Sequence, residues 1–388
     1  FFHEYIHFLQ DLTTTYGLTQ CFYCGEYIQT AINDIYQQGK GEIIVPVRYN
    51  DPSHHVKVAD IIMDITMGDC KSYSDKFNVN NISLNTLDDL PIACPNINYI
   101  NVVDVESKEG DLFSFGAYAI KESIAYILER LITKEYESSQ EFPYCSAEKI
   151  VEYIFPEFGK SILNVLALCD ISLMFSNPAE IFYSTLMQLK SKGYIPKKPH
   201  DLYAQLRNAK IGNNENITDP FSYYKMVAEE TRTKLKSYFY TDKQPELHRA
   251  YHEWIDRLFD FSINIRTNES TYLLDLYYDG YIRTNNTFQR VVSNLGTPLI
   301  RNKRQDYFCI KPEGINGWTN EVMKSVSQIY ELLRYAKLQC GLYPWCINSD
   351  NEQKDSPEFE PINPTVEICL NKPWERCNGN NLCPFAMI

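Results

Sequence analysis

No uninterrupted apolar run in this sequence approaches the roughly 20 residues that a bilayer-spanning helix needs, so no membrane partner is expected. Basic charge is also short: 37 Lys and Arg stand against 50 Asp and Glu, for a net charge of -13. Nucleic-acid binding relies on cationic side chains that displace counterions from phosphates, so nucleic acid is not expected as the main partner. No secretory signal pattern is visible. The first residue is Phe rather than Met, so a preceding segment, with any targeting signal it carries, is expected. No repeat period stands out, which argues against a solenoid or an array. Histidine is scarce, with seven in 388 residues.

What is present suits a globular protein. Hydrophobic residues make up 44%, and the length allows one large domain or two moderate ones. The 29 tyrosines carry little functional information by themselves. Of twelve cysteines, Cys70, Cys94, Cys145, Cys169 and Cys309 are scattered, as reduced cysteines of a cytoplasmic protein are. Five crowd the end: Cys340, Cys346, Cys369, Cys377 and Cys383. That tail is rich in Pro, Asn and Gly and cannot easily bury a core, so a second, structural metal at these cysteines is an expectation, although their spacings fit no zinc ribbon. Sequons at Asn216, Asn268 and Asn285 matter only in a secreted eukaryotic protein.

Hydrophobic periodicity predicts a mainly α fold with a small β component. Helices are expected at about 2–12, 116–137, 147–155, 160–175, 178–192, 219–240, 245–263 and 318–339. Strand composition marks 41–50, with Pro46 suggesting an edge, and "NYINVVDV" further on. Breaker-rich sequence near 195–218 suggests a boundary. The expected organisation is a catalytic domain at 1–195, a helical domain at 219–340 and the cysteine-rich tail at 341–388.

The first helix contains His3-Glu4-Tyr5-Ile6-His7, an H-E-x-x-H string. Positions i and i+4 of a helix share a face, so His3 and His7 can reach one metal ion. Glu4 is left free to take a proton from a zinc-activated water. The string alone is weak, because chance also produces it. Its setting on an apolar helix adds weight: buried polar groups are costly unless something binds them. Two glutamates compete for the third ligand. Glu26 follows His7 by 19 positions, a spacing that resembles gluzincin aminopeptidases. Glu122 lies in "GAYAIKESIAYILER", on a strongly periodic helix, with Ala125 one turn on as a small residue and Glu129 as a further acid. Glu122 is preferred, because a long helix holds a carboxylate more rigidly than a short segment after Gly25.

The two stretches "FHEYIHFLQDLTTTYGL" and "GAYAIKESIAYILER" together resemble a gluzincin-type zinc metallopeptidase of a bacterial kind. The resemblance covers about thirty residues and two helices. It implies a zincin-like helical core, a Zn2+ cofactor held by His3, His7 and Glu122, Glu4 as general base, and a peptide or protein substrate. It also implies an edge strand that aligns the substrate, for which "EIIVPVRY" is the candidate here. The alternative is a catalytically inactive helical interaction or scaffold protein with a vestigial H-E-x-x-H. Among 29 tyrosines, no oxyanion-stabilising residue can be singled out. His248 and His252, one turn apart among charged neighbours, fit a solvated helix face, and Cys21 and Cys24 fit packing, since no strand–C-x-x-C–helix pattern surrounds them.

Overall fold

The computed structural model describes residues 1–39, 44–133, 140–211, 218–238, 245–301, 307–315 and 320–337. The fold is mainly helical with a small antiparallel sheet. The helices are α1 (Phe2–Thr13), α2 (Thr15–Gln38), α3 (His55–Met67), α4 (Ala117–Ile132), α5 (Glu141–Tyr144), α6 (Ser146–Ile154), α7 (Pro156–Gly159) and α8 (Ile162–Ser172). They continue as α9 (Pro178–Ser191), α10 (His200–Asn208), α11 (Pro220–Tyr238), α12 (Pro245–Asn268), α13 (Tyr272–Tyr278), α14 (Asn286–Leu295) and α15 (Asn320–Tyr335). Between α3 and α4 lie β1 (Val79–Leu87), β2 (Ile100–Ser107) and β3 (Leu112–Phe115), in spatial order β1-β2-β3. A short ribbon pairs Ile300–Arg301 with Tyr307–Phe308.

The described residues fall into two compact units. The first comprises Phe1–Tyr23, Asn50–Thr297 and Lys311–Ile315. Its centre is α8, whose residues from Asn164 to Ser172 are all buried, as expected of a helix that is apolar nearly all round. Helices α4, α6, α9 and α10 pack against it. Helix α4 is buried along most of its length, from Ala117 through Leu128. Helix α1 buries Phe2, Tyr5, Ile6, Leu9 and Leu12, a helical stripe, and leaves His3, Glu4 and His7 off that stripe.

The sheet delivers the chain to α4. Strand alternation puts Val103 and Val105 of β2, and Phe113 and Phe115 of β3, into the core. Phe113 stacks on Phe142 at 4.4 Å. Strand β3 runs through Gly116 straight into α4. Gly116 passes so close to the end of α3 that a Cβ there would lie 2.2 Å from the Met67 carbonyl oxygen. Gly68, at φ +74, meets Gly116 from the other side. These two glycines fix where α4 begins.

The second unit gathers Cys24–Tyr49, Pro298–Ile310 and the described residues from Asn320 on. Two expectations change here. Residues 44–50 form no strand. The Val47 N–H bonds the Leu333 carbonyl at 2.8 Å, and that carbonyl also accepts from Tyr27 Oη at 2.6 Å, so helix termini and a side chain occupy groups that a ladder would use. "EIIVPVRY" therefore supplies no substrate-aligning edge within its described residues. The segment around Glu26 is not short either: α2 is a 24-residue helix that continues through Gly25. The tail at 341–388 and Cys340 lie outside the described residues.

Candidate metal centre

Helices α1 and α4 lie against each other in the first unit, and the donors come from their contact. His3 and His7 project from consecutive turns of α1, their rings 5.0 Å apart and edge to face. Glu122 projects from α4 between them. Its Oε2 is 3.0 Å from His3 Nε2 and 3.4 Å from His7 Nε2. Ala125, three residues on from Glu122 and fully buried, leaves room for this approach. Further bonds lock the helix pair. Gln10 Nε2 donates to the Lys121 carbonyl at 3.0 Å, and Lys121 Nζ pairs with Asp11 at 2.6 Å.

The outer ring nitrogens are held as well. His3 Nδ1 donates to Glu129 Oε2 at 3.2 Å. His7 Nδ1 donates to Gln10 Oε1 at 2.9 Å. A carboxylate only accepts, and the bond to Lys121 orients the Gln10 amide with its oxygen toward His7. The network thus assigns the proton of both neutral rings to Nδ1 and turns both Nε2 lone pairs toward Glu122. Three electron-rich atoms converge on one point and repel one another unless a proton or a cation lies between them.

The separations suit a cation. Tetrahedral ligation with bonds of roughly 2.0–2.1 Å sets donor atoms about 3.3 Å apart, and the observed separations from Glu122 are 3.0 and 3.4 Å. His3, His7 and Glu122 are the group of this kind found among the described residues. They could hold a metal ion, with Glu129 and Gln10 as the outer partners that fix ring orientation. Without a metal, protons take its place. Burial pulls His3 down, but the bond to Glu122 and the charges of Glu122 and Glu129 outweigh it and raise His3 above its usual 6.5. Burial opposes ionisation of Glu122, yet bonds to His3 and His7 bring it down to about 2.

Glu4 sits in the first turn of α1, exposed, with no hydrogen bond or ion pair among the described residues. Three phenols stand beside the centre. The Tyr144 ring lies 5.7 Å from that of His3. Tyr118, one turn before Glu122, shares a 2.9 Å hydroxyl–hydroxyl bond with Tyr73. Burial and the Tyr73 bond push Tyr118 well above its usual 10, and Glu122 adds to this. Tyr144 is raised by burial and then by the charges of Glu122, Tyr73, Glu4 and Glu129. Both phenols therefore stay protonated and can donate.

Glu26 is on α2 in the second unit and does not belong to the donor group. His252 Nε2 engages the Lys236 carbonyl at 3.0 Å, and the His248 side chain falls outside the described residues. Cys21 and Cys24 are not disulfide-bonded. Gln10, Tyr118 and Tyr144 escaped the sequence reading. Gln10 could have been found three residues after His7, and Tyr118 four before Glu122, each on the stripe of its ligand. Tyr144 comes from α5, far from any motif, and carried no such signal. The chain matches no protein-family model, and neither the curated proteins nor the solved structures compared with it gave a match.

Proposed function

We propose that the chain is a zinc-dependent metallopeptidase. The reading rests on one observation: two histidine lone pairs and a carboxylate oxygen converge, with both outer nitrogens already engaged, and leave a free glutamate beside them. The donor set of two nitrogens and one oxygen suits Zn2+ in an open, catalytic site. When bound, zinc would polarise the scissile carbonyl and acidify the attacking water. The chain's own residues supply the remaining chemistry. Glu4 accepts a proton from the water as its oxygen attacks the carbonyl carbon, and later gives it to the departing amide nitrogen. The C–N bond breaks, leaving a carboxylate and an amine. Tyr144 or Tyr118 donates a hydrogen bond to the carbonyl oxygen as negative charge builds on it. The gluzincin resemblance in α1 and α4 supports the same assignment.

The test is metal analysis combined with peptide hydrolysis. One zinc at this centre, lost in His3→Ala, is the expected result. Glu4→Gln should keep the zinc and lose hydrolysis by about 10²–10⁴-fold, the usual contribution of a general base. Zinc bound at His3 and His7 without hydrolysis of a broad peptide mixture would favour a non-catalytic scaffold. A folded protein without metal would remove the peptidase reading and favour the scaffold with a vestigial H-E-x-x-H.

A further inference from the structure

At the end of α1 away from the histidines lies a buried ion pair that the chemistry does not use. Arg266 of α12 and Asp170 of α8 are both fully buried. The guanidinium grips the carboxylate with two bonds, Nη1 to Oδ2 at 2.8 Å and Nη2 to Oδ1 at 2.9 Å. Its Nε bonds the Thr13 carbonyl at 2.5 Å, and Nη2 also donates to Thr13 Oγ1 at 3.3 Å. Tyr203 Oη donates to Asp170 at 2.8 Å, and the Arg266 guanidinium lies 5.1 Å from the centre of the Tyr272 ring. Tyr272 in turn exchanges a 2.7 Å hydroxyl bond with Thr13. Tyr224 donates to the neighbouring Leu12 carbonyl at 2.8 Å.

Taking two charges out of water is costly, and apolar residues of similar volume often give equal stability. The pair is thus poorly explained as a source of stability. Its directionality is more informative. One planar cation binds the last carbonyl of the histidine helix and, on its other side, the helix that packs against the glutamate helix. A cation at a helix C-terminus also complements the helix dipole.

We infer that the Arg266–Asp170 pair is a positioning element of the metal centre. It sets the depth and rotation of α1 over α4, and so the separation of His3 and His7 from Glu122. The inference rests on the metal reading of that centre. The leverage is geometric. Metal–ligand distances tolerate only about 0.2 Å, whereas sliding a helix by one residue moves it about 1.5 Å and turns it about 100°. His7 is six residues from Thr13 on the same rigid rod. Freeing the Thr13 carbonyl lets the rod relax against its apolar seat, and the donor triangle opens.

The experiment compares zinc affinity, by competition with a chromophoric chelator, in wild type, Arg266→Lys, and the double variant Arg266→Met with Asp170→Leu. Lysine keeps the charge beside Asp170 but cannot hold Asp170 and Thr13 together. The double variant removes both charges and keeps the volume, so one of the two stays testable if the other fails to fold. Leu189→Ala, a buried truncation on α9, controls for destabilisation alone. Measured well below the melting temperature, each folded pair variant should bind zinc about tenfold more weakly, with a shifted visible spectrum when Co2+ replaces zinc. The control should melt lower but bind as wild type does. Wild-type affinity and an unchanged cobalt spectrum in either folded pair variant would overturn the inference while leaving the metal centre intact. A wild type that binds no zinc removes the metal reading, and the positioning role with it.

Discussion

Each imidazole of the donor group has a division of labour between its two nitrogens, and this makes the outer partners testable. Glu129→Ala and Gln10→Ala leave His3, His7 and Glu122 in place but release the rings. Each should weaken zinc binding by about 10–100-fold, the usual effect of losing such a partner. Isothermal titration against the wild type checks this. The metal-free protein should also show a specific pH profile. The raised His3 contributes stability that is complete below its unfolded 6.5 and disappears as pH climbs through its higher folded value. The lowered Glu122 contributes stability that is present above its unfolded 4.5 and is lost as pH falls toward about 2. The pair therefore stabilises the apo fold most between 4.5 and 6.5. Urea midpoints across pH 3 to 9 should show that maximum in apo protein, and Glu122→Gln should flatten it. At this scale the two candidate histidines were legible because sharing one metal ion demands i, i+4 spacing on a helix, and Glu122 because it stands on a strongly periodic helix. The phenols were not, because a hydroxyl can reach the same point from any element.

Among the elements, α4 carries the greatest constraint, since it must fill the core and carry Glu122 at once. Enlarging its contact with α1 should separate the two. Ala125→Leu is expected to retain a folded core, at a cost of about 1–3 kcal/mol for overpacking, while zinc affinity collapses. Circular dichroism with metal titration distinguishes these effects. Gly116→Ala should be at least as damaging to stability, because its Cβ would meet the backbone of Met67, which cannot swing aside. Chemical denaturation would show a lower midpoint with an unchanged slope. Helices α4, α9, α11 and α12 were readable because an apolar stripe marks each one, and α8 because it is apolar nearly all round. Strand β1 was not: "VNNISLNTL" is exposed along most of both faces, so no alternation records it. Helix α3 is rich in Val, Ile and Thr, which favour strands locally, and its helical state comes from packing. The strand expected near residue 45 failed for the opposite reason, strand-like composition with no partner strand beside its described residues.

For the whole molecule, no helix among the described residues is long and apolar enough to cross a membrane. The C-terminal cysteines remain a proposal from sequence, a structural metal site separate from α1. If it exists, the intact chain should carry a second equivalent of zinc, and removal of residues 341–388 should abolish that equivalent, lower the melting temperature and leave His3 and His7 loaded. Equal metal content and melting temperature in the truncated chain would end the idea. The primary centre has a different property, which follows from its long reach along the chain. His3 and Glu122 meet across 119 positions of sequence. A ribosome adding about 5–20 residues per second needs roughly 6–24 s to cover that distance. Throughout that interval the nascent chain presents both histidines without their carboxylate. The donor group cannot be completed early in synthesis, and on the peptidase reading no complete centre would exist in the growing polypeptide until α4 has emerged.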